Sequence, residues 1–318
     1  MYVAVDIGGT KVRFAIISEN LVFEKIYTYK SKKFKSFFEV FQKFLKDAQI
    51  EKISILIIAV AGPVIDNRCK VSNLPWEIDA GSVKQKFLIK KVFLLNDLEA
   101  LAYSLLSLDK EKDILWIKNG LTKEKISLNK EHFLFISPGT GLGISFAKKY
   151  NDLYLTFATE AGNTLFSPLK KEDFKFIEFL KKKKKIVSWE NVLSGRALSL
   201  WYEFFTKKKI LPEEVVTLAL ENEKFAKKCI RKCLELFGRK AGEMALCILP
   251  TKGIYLSGGL TQGLIKFFRK KSYVNTFFKG YFSVNKRFNY LLNQFPIGII
   301  LHSNPVLLGC VSFLRNQL

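Results

Sequence analysis

The chain has 318 residues, of which 48% are hydrophobic and 25% charged, enough length and apolar content for two globular domains. Lysine and arginine (52) outnumber aspartate and glutamate (29), for a formal net charge of +23, and the five cysteines include no C-x-x-C pair. These figures exclude a disulfide-stapled secreted scaffold and a zinc-ribbon protein, and they fit a reducing cytoplasm.

Val3–Ile17, VAVDIGGTKVRFAII, reads as two apolar strands around Asp6, Gly8, Gly9 and Thr10, a hairpin whose turn brings backbone N–H groups close to a ligand. Backbone that close suits a phosphate. An Asp and two Gly interrupt the apolar run almost at once, so it is not a secretory signal. A third strand is expected at Leu21–Tyr29. Phe34–Gln49 then carries Phe37, Phe38, Phe41, Phe44 and Leu45 at helical spacing, which predicts an amphipathic helix. Ile53–Ile65, ISILIIAVAGPVI, is too short for the roughly 20 residues of a membrane span and reads as a strand buried on both faces. Strand, helix and strand in this order predict an α/β fold.

Val71–Asp79 reads as a loop with Pro75 before Trp76, followed by a charged helix around Gly81–Lys86. Val92–Asn96 is a strand, and Asp97 stands at its carboxyl end, ahead of the helix-compatible LEALAYSLLSL. A carboxylate there could activate a hydroxyl nucleophile; alternatively Asn96 or Asp97 merely caps the helix.

After a polar stretch from Gly120, the opening pattern returns 130 residues on: Phe133–Ala147, FLFISPGTGLGISFA, lays Gly139-Thr140 over Gly9-Thr10. The chain thus carries an internal duplication, and two such turns could clamp a polyphosphate with Gly N–H dipoles and Thr hydroxyls. Two unrelated Gly turns are the alternative. Phe157–Pro168 groups Glu160, Gly162 and Asn163 in a loop, and Ser188–Leu198 puts Glu190 just before another Ser-Gly pair. Polar groups on separate loops suit a polyhydroxylated ligand, although each could be a surface turn. Helical spacing dominates Leu198–Phe205 and Glu213–Met244, where Cys229 and Cys233 lie one turn apart without further metal-type partners. Gly253–Gly259 is a strand running into the double glycine Gly258-Gly259, and Val306–Leu318 reads as a terminal helix. The lysine runs, Lys32-Lys33, Lys181–Lys185, Lys207–Lys209 and Lys270-Lys271, lack the interleaved Arg and aromatics of a nucleic-acid stripe and read as solvated faces. They still steer polyanions to the surface.

The set D-I-G-G-T-K-V-R (Asp6–Arg13), L-N-D-L-E-A (Leu95–Ala100), P-G-T-G-L-G (Pro138–Gly143), E-A-G-N (Glu160–Asn163), E-N-V-L-S-G (Glu190–Gly195), G-I-Y-L-S-G-G (Gly253–Gly259) and a closing P-x-L-L-G (Pro305–Gly309) resembles the bacterial glucokinase family, in the family's order. The resemblance implies two ribonuclease-H-like domains of the sugar-kinase, heat-shock-protein and actin superfamily, related by duplication and closing on an interdomain cleft. It implies boundaries near Ser104 and Leu301, with residues 1–103 plus 301–318 in one domain and 104–300 in the other. It further implies ATP-dependent phosphorylation of glucose, with Asp97 as general base and Asn96, Asp97, Glu160, Asn163 and Glu190 on the sugar. Gly8, Gly9, Thr10, Gly139 and Thr140 would hold ATP phosphates, Gly258 and Gly259 would lie by the adenine or ribose, and Asp6 would help to place Mg²⁺ through water. A cytoplasmic enzyme, with a homodimer left open and neither membrane nor nucleic acid as partner, is the expectation. A kinase for mannose or an amino sugar, or a sugar- or nucleotide-binding regulator without catalysis, is the alternative.

The chain departs from the family where E-G-G-H is usual. Ala161 demands that its backbone not need a positive φ, and Asn163 replaces an imidazole with a shorter amide, which would cost sugar affinity if left buried and unsatisfied. Ser194–Ala197 also lacks the family's second Gly.

Overall fold

The structure, a computed structural model, describes residues 1–119, 131–150, 153–182 and 186–317. Gly120, the polar stretch that follows it, residues 183–185 of the longest lysine run and Leu318 lie outside the described residues. The chain forms two compact units, Met1–Lys110 with His302–Leu318, and Glu111–Leu301.

In the first unit, strands β1 (Tyr2–Ile7) and β2 (Lys11–Ile17) form the expected hairpin, and β3 (Phe23–Lys30) adds antiparallel to β2. Helix α1 (Phe37–Ala48) starts at Ser36, whose hydroxyl accepts the Glu39 N–H, and stops at Gln49 in the left-handed conformation. Strand β4 (Ile55–Val60) is buried throughout and runs parallel to β1. A small antiparallel sheet follows, β5 (Val64–Ile65), β6 (Arg68–Lys70) and β7 (Glu77–Asp79): the run Ile53–Ile65 expected as one buried strand breaks after Val60, its exposed end pairing in this second sheet, and the end of the expected loop Val71–Asp79 is a strand. Strands of two and three residues are too short for alternation to register. Helix α2 (Ala80–Lys86) leads to β8 (Lys91–Asn96), parallel to β4, and then to α3 (Asp97–Tyr103). The main sheet runs β3-β2-β1-β4-β8. Its two faces follow the period of two: Val3, Val5, Ile7 and Phe14 pack on the α1 phenylalanines, with the Phe14 and Phe44 rings stacked at 4.4 Å, while Ala4, Ala15 and Ala59 line the opposite face.

The second unit opens with β9 (Ile114–Lys118), then β10 (Glu131–Pro138), β11 (Leu142–Tyr150) and β12 (Leu153–Thr159). Helices α4 (Lys171–Lys181), α5 (Trp189–Val192), α6 (Gly195–Thr206), α7 (Pro212–Leu220) and the 25-residue α8 (Lys224–Ile248) follow. Strand β13 (Gly253–Leu256), helices α9 (Gly258–Phe268), α10 (Lys271–Tyr281) and α11 (Asn289–Leu292), and strand β14 (Ile297–Ile300) complete it. Its sheet runs β12-β11-β10-β13-β14-β9. The first five strands repeat the first unit's order and directions, two antiparallel steps and then two parallel ones, and β9 is the addition at the edge. The duplication read from one hairpin therefore extends to the whole sheet. The second turn is one residue shorter, with residues 139–141 between paired Pro138 and Leu142 against residues 8–11 between paired Ile7 and Val12.

The chain then returns to the first unit as α12 (Pro305–Arg315), whose Leu307, Cys310, Val311 and Leu314 cover the alanine face of the sheet. Gly309 lets α12 touch α3: a Cβ there would lie 1.6 Å from the Ala100 carbonyl oxygen. The turn Ser104–Leu106 continues α3 along α12, which carries this unit on to Lys110. Among the described residues no helix is long and apolar enough to cross a membrane; the apolar run Ile53–Ile65 contains β4 and β5.

Candidate functional site

The carboxyl ends of β1, β4 and β8 are in register, Ile7 opposite Val60 and Val60 opposite Asn96. Asp6, Gly8, Gly9, Thr10, Gly62, Asn96 and Asp97 therefore emerge at one edge of the first unit's sheet, the edge where open α/β sheets take their ligands. Asn96 is the helix cap: its Oδ1 accepts the Leu98 N–H at 2.9 Å and its Nδ2 donates to the Gly62 carbonyl at 2.7 Å. One N–H and one lone pair of the amide remain for a ligand. Asp97 is the first residue of α3 and half-buried, with Glu99 in the same turn, where the helix favours negative charge. Burial, and after it the Asp97 carboxylate, push the Cys69 thiol up to about 11.

The first turn is tied down from behind. Gly8 N–H donates to the Lys11 carbonyl at 3.0 Å, the buried Ser31 hydroxyl donates to the Gly8 carbonyl at 2.8 Å, and the Ser31 amide donates to the Thr10 carbonyl at 3.1 Å. A Cβ on Gly9 would approach the Asn73 Cβ to 2.8 Å, so glycine there admits the loop that carries Asn73. Asp6 pairs across the hairpin with Arg13 at 2.8 Å. Burial pushes the Asp6 carboxyl up, and the guanidinium only partly offsets it.

In the second unit the backbone of Leu142 gathers the other candidates. Glu190 Oε2 accepts its N–H at 3.2 Å, and a Cβ on Gly162 would stand 1.9 Å from its carbonyl oxygen. Glu190 is thus bonded to Leu142, and the Glu160–Asn163 turn packs closely against the same residue, just past the Gly139-Thr140 turn. Within that turn Gly139 N–H donates to Gly141 O at 2.8 Å, and the Gly139 carbonyl accepts the Gly195 N–H at 2.8 Å. Arg196 Nε donates to the Thr140 carbonyl at 3.0 Å, and its Nη2 donates to Glu190 Oε1 at 3.3 Å. Asn163 Nδ2 donates to Glu160 Oε2 at 2.7 Å, and both residues are exposed. Gly258, at φ +89°, lets the start of α9 lie against the end of β10, where a Cβ would meet the Pro138 carbonyl at 2.6 Å. Gly259 faces open space. The double glycine is the first turn of a helix, a finer reading than the bare turn expected.

Behind these loops lie buried cations on α8 that the sequence reading does not single out. Arg239 donates to the Ser167 carbonyl at 2.9 Å and to Asp173 at 3.1 Å, and its guanidinium lies 4.7 Å from the Phe166 ring and 5.0 Å from the Trp189 ring. Lys240 reaches Thr164 Oγ1 at 3.4 Å and the Trp189 ring at 5.1 Å. One helix thus holds both the loop after Asn163 and the residue before Glu190.

The departures from the family resolve locally. Ala161 has no positive φ, so its methyl is admissible, and Gly162 is the position a side chain cannot enter. Asn163 is not a buried orphan but an exposed donor to Glu160, so the cost of an unsatisfied group does not arise. Ala197 is buried in α6, its amide bonded to the Ser194 hydroxyl at 3.2 Å. Among the described residues no three His, Cys, Asp or Glu side chains form a metal-binding group. The Asp6 carboxylate at the end of β1, with one oxygen on Arg13, fits an ion carried by a polyphosphate and touched by one carboxylate.

The family model described as Glucokinase matches residues 3–317. A glucokinase from Colwellia psychrerythraea is 28% identical over 98% of this chain and 94% of its own length. Among solved structures, the glucokinase from Balamuthia mandrillaris in complex with glucose superposes with a TM-score of 0.83 at 19% identity, covering 99% of this chain and 93% of that one. A ROK family glucokinase from Streptomyces griseus in complex with glucose and AMPPNP gives 0.66 at 17% identity, over 99% of each chain. These neighbours establish the sugar-kinase fold, and the family model, matched from β1 through α12, makes this chain a member of the glucokinase family.

Proposed function

We propose that the protein transfers the γ-phosphoryl group of ATP to the 6-hydroxyl of glucose, with Asp97 as general base. The observation that carries the reading is the half-buried Asp97 carboxylate at the end of β8, two strand spacings, on the order of 10 Å, from the end of β1 that feeds the Gly8–Thr10 turn. The solved neighbours described with glucose, and with glucose and AMPPNP, support the same pair of ligands.

Phosphoryl transfer asks a protein mainly for positioning and charge neutralisation. Asp97 takes the hydroxyl proton as the sugar oxygen bonds to phosphorus and the bond to the β-phosphate oxygen breaks. Asn96, Glu160, Asn163 and Glu190 hold the remaining hydroxyls, Glu160 being oriented by Asn163. The Gly8–Thr10 and Gly139–Thr140 turns take the phosphates through amides other than those of Gly8 and Gly139, which bond within their own turns, and Gly259, open on its outer side next to the packed Gly258, leaves room for the base or ribose. Asp6, with one oxygen on Arg13, would touch a Mg²⁺ ion through water, and that ion supplies charge neutralisation on the phosphates. Asn163 in place of the family's His permits a second substrate assignment, mannose or an amino sugar, for the same reaction.

The test is ADP release with Mg-ATP against glucose, mannose, glucosamine and fructose, beside Asp97→Ala. Turnover on glucose that falls by about 10²–10⁴ in the variant is the expected result. Turnover confined to another hexose moves the substrate assignment, and an active Asp97→Ala removes Asp97 from the role of base.

A further inference from the structure

The second unit presents an electrostatic conflict. Glu190 stands against the turn proposed to carry ATP phosphates: its carboxylate accepts the Leu142 N–H, and a Cβ on Gly141 would lie 2.3 Å from its Oε2. The Thr140 carbonyl is a second negative end on the same turn. A polyanion approaching that turn meets both. Arg196 answers both at once, through Nε on Thr140 O and Nη2 on Glu190 Oε1, and its side chain remains 57% exposed.

We infer that Arg196 is a positioning residue for the nucleotide: it holds the Thr140 carbonyl aside, neutralises Glu190, and offers its remaining N–H groups to a polyphosphate. A guanidinium carries five N–H donors, and the two bonds described use two of them. The flat fork suits one carbonyl, one carboxylate and one phosphate oxygen together, which a lysine ammonium on a flexible stem does not reproduce. Because Glu190 is also proposed to bind the sugar, Arg196 joins the two ligands' contacts within one unit. The inference rests on the kinase reading above.

The experiment compares wild type with Arg196→Gln and Arg196→Lys, measuring the Kd of Mg-ADP and of glucose by calorimetry, KM for ATP and for glucose, and Tm. In Arg196→Gln the Kd of Mg-ADP and KM for ATP are expected to rise about tenfold or more, with a smaller rise for glucose and an unchanged Tm, since the side chain is exposed. Arg196→Lys is expected to recover part of the nucleotide affinity through charge alone. Wild-type constants for Mg-ADP in Arg196→Gln overturn the inference, as does a rise matched by an equal loss in Tm, which would make the residue merely structural. A wild-type protein that neither binds Mg-ADP nor turns over sugar takes down the kinase reading and this inference together, and is recognisable without any variant.

Discussion

Leu142 has an aliphatic side chain and no chemistry, yet its backbone sets the second unit's candidate site: the N–H fixes Glu190 and the carbonyl lies where no Cβ could stand on Gly162. Gly162→Ala is therefore expected to displace the Glu160–Asn163 turn and raise the sugar KM at least tenfold, whereas Ala161→Gly leaves it within about twofold, because Ala161 carries no strain to relieve. Sugar saturation curves for the two variants check this. Asn163→Ala removes a hydrogen bond to a carboxylate and is expected to raise the sugar KM by about fivefold, less than the roughly 1.5–3 kcal/mol of charged hydrogen bonds because both partners are exposed. Most of these residues were legible, since short glycine-rich motifs announce close backbone. Ser31, Arg239 and the contacts of Arg196 were not: each bonds a backbone or a ring distant in sequence, and such a contact leaves no periodic trace.

Elements with a full period were legible in the same way. The phenylalanine stripe of α1 and the continuous β-branched run of β4 appear within a few residues of their predicted places. The short strands β5 to β7, and β12, whose last residues the sequence reading assigns to a loop, were not legible, because their pairing is decided by neighbours and not by local pattern. The junction of α4 and α8 belongs to this class too. Asp173 is buried and accepts from Lys232 and Arg239, and from the amides of Leu169 and Lys170. Burial alone would raise its carboxyl, but the Lys232 bond and those amides prevail and hold it below the ordinary 3.8. The stability this group contributes is thus full above that value and is lost as pH falls through the depressed one. Asp173→Ala leaves two buried cations without their shared partner and is expected to cost about 3–5 kcal/mol at pH 7. Asp173→Asn is expected to be destabilised at pH 7 and to lose less than wild type as the pH falls below 3.8. Urea unfolding followed by tryptophan fluorescence, with Trp189 and Trp201 in the second unit's core, measures both.

At the scale of the whole molecule the two sheets repeat one strand order, which the sequence showed only through one pair of hairpins, since divergence leaves side-chain identity where backbone must be approached and erases it elsewhere. The first unit is discontinuous: residues 1–110 lack one face of their sheet until α12 covers Ala4, Ala15 and Ala59. Deleting residues 305–317 is expected to leave a protein in which residues 111–301 resist proteolysis while residues 1–110 are digested, and equal resistance of both would overturn that division. The same discontinuity has a consequence during synthesis. The opening hairpin leaves the ribosome before the second unit, and its sheet remains open on one side while the whole of that unit is translated, on the order of 20 s at about 10 residues per second. The interval is one in which an apolar strand surface must be kept from other nascent chains. A premature stop near the carboxyl end would thus injure the amino-terminal half of the protein.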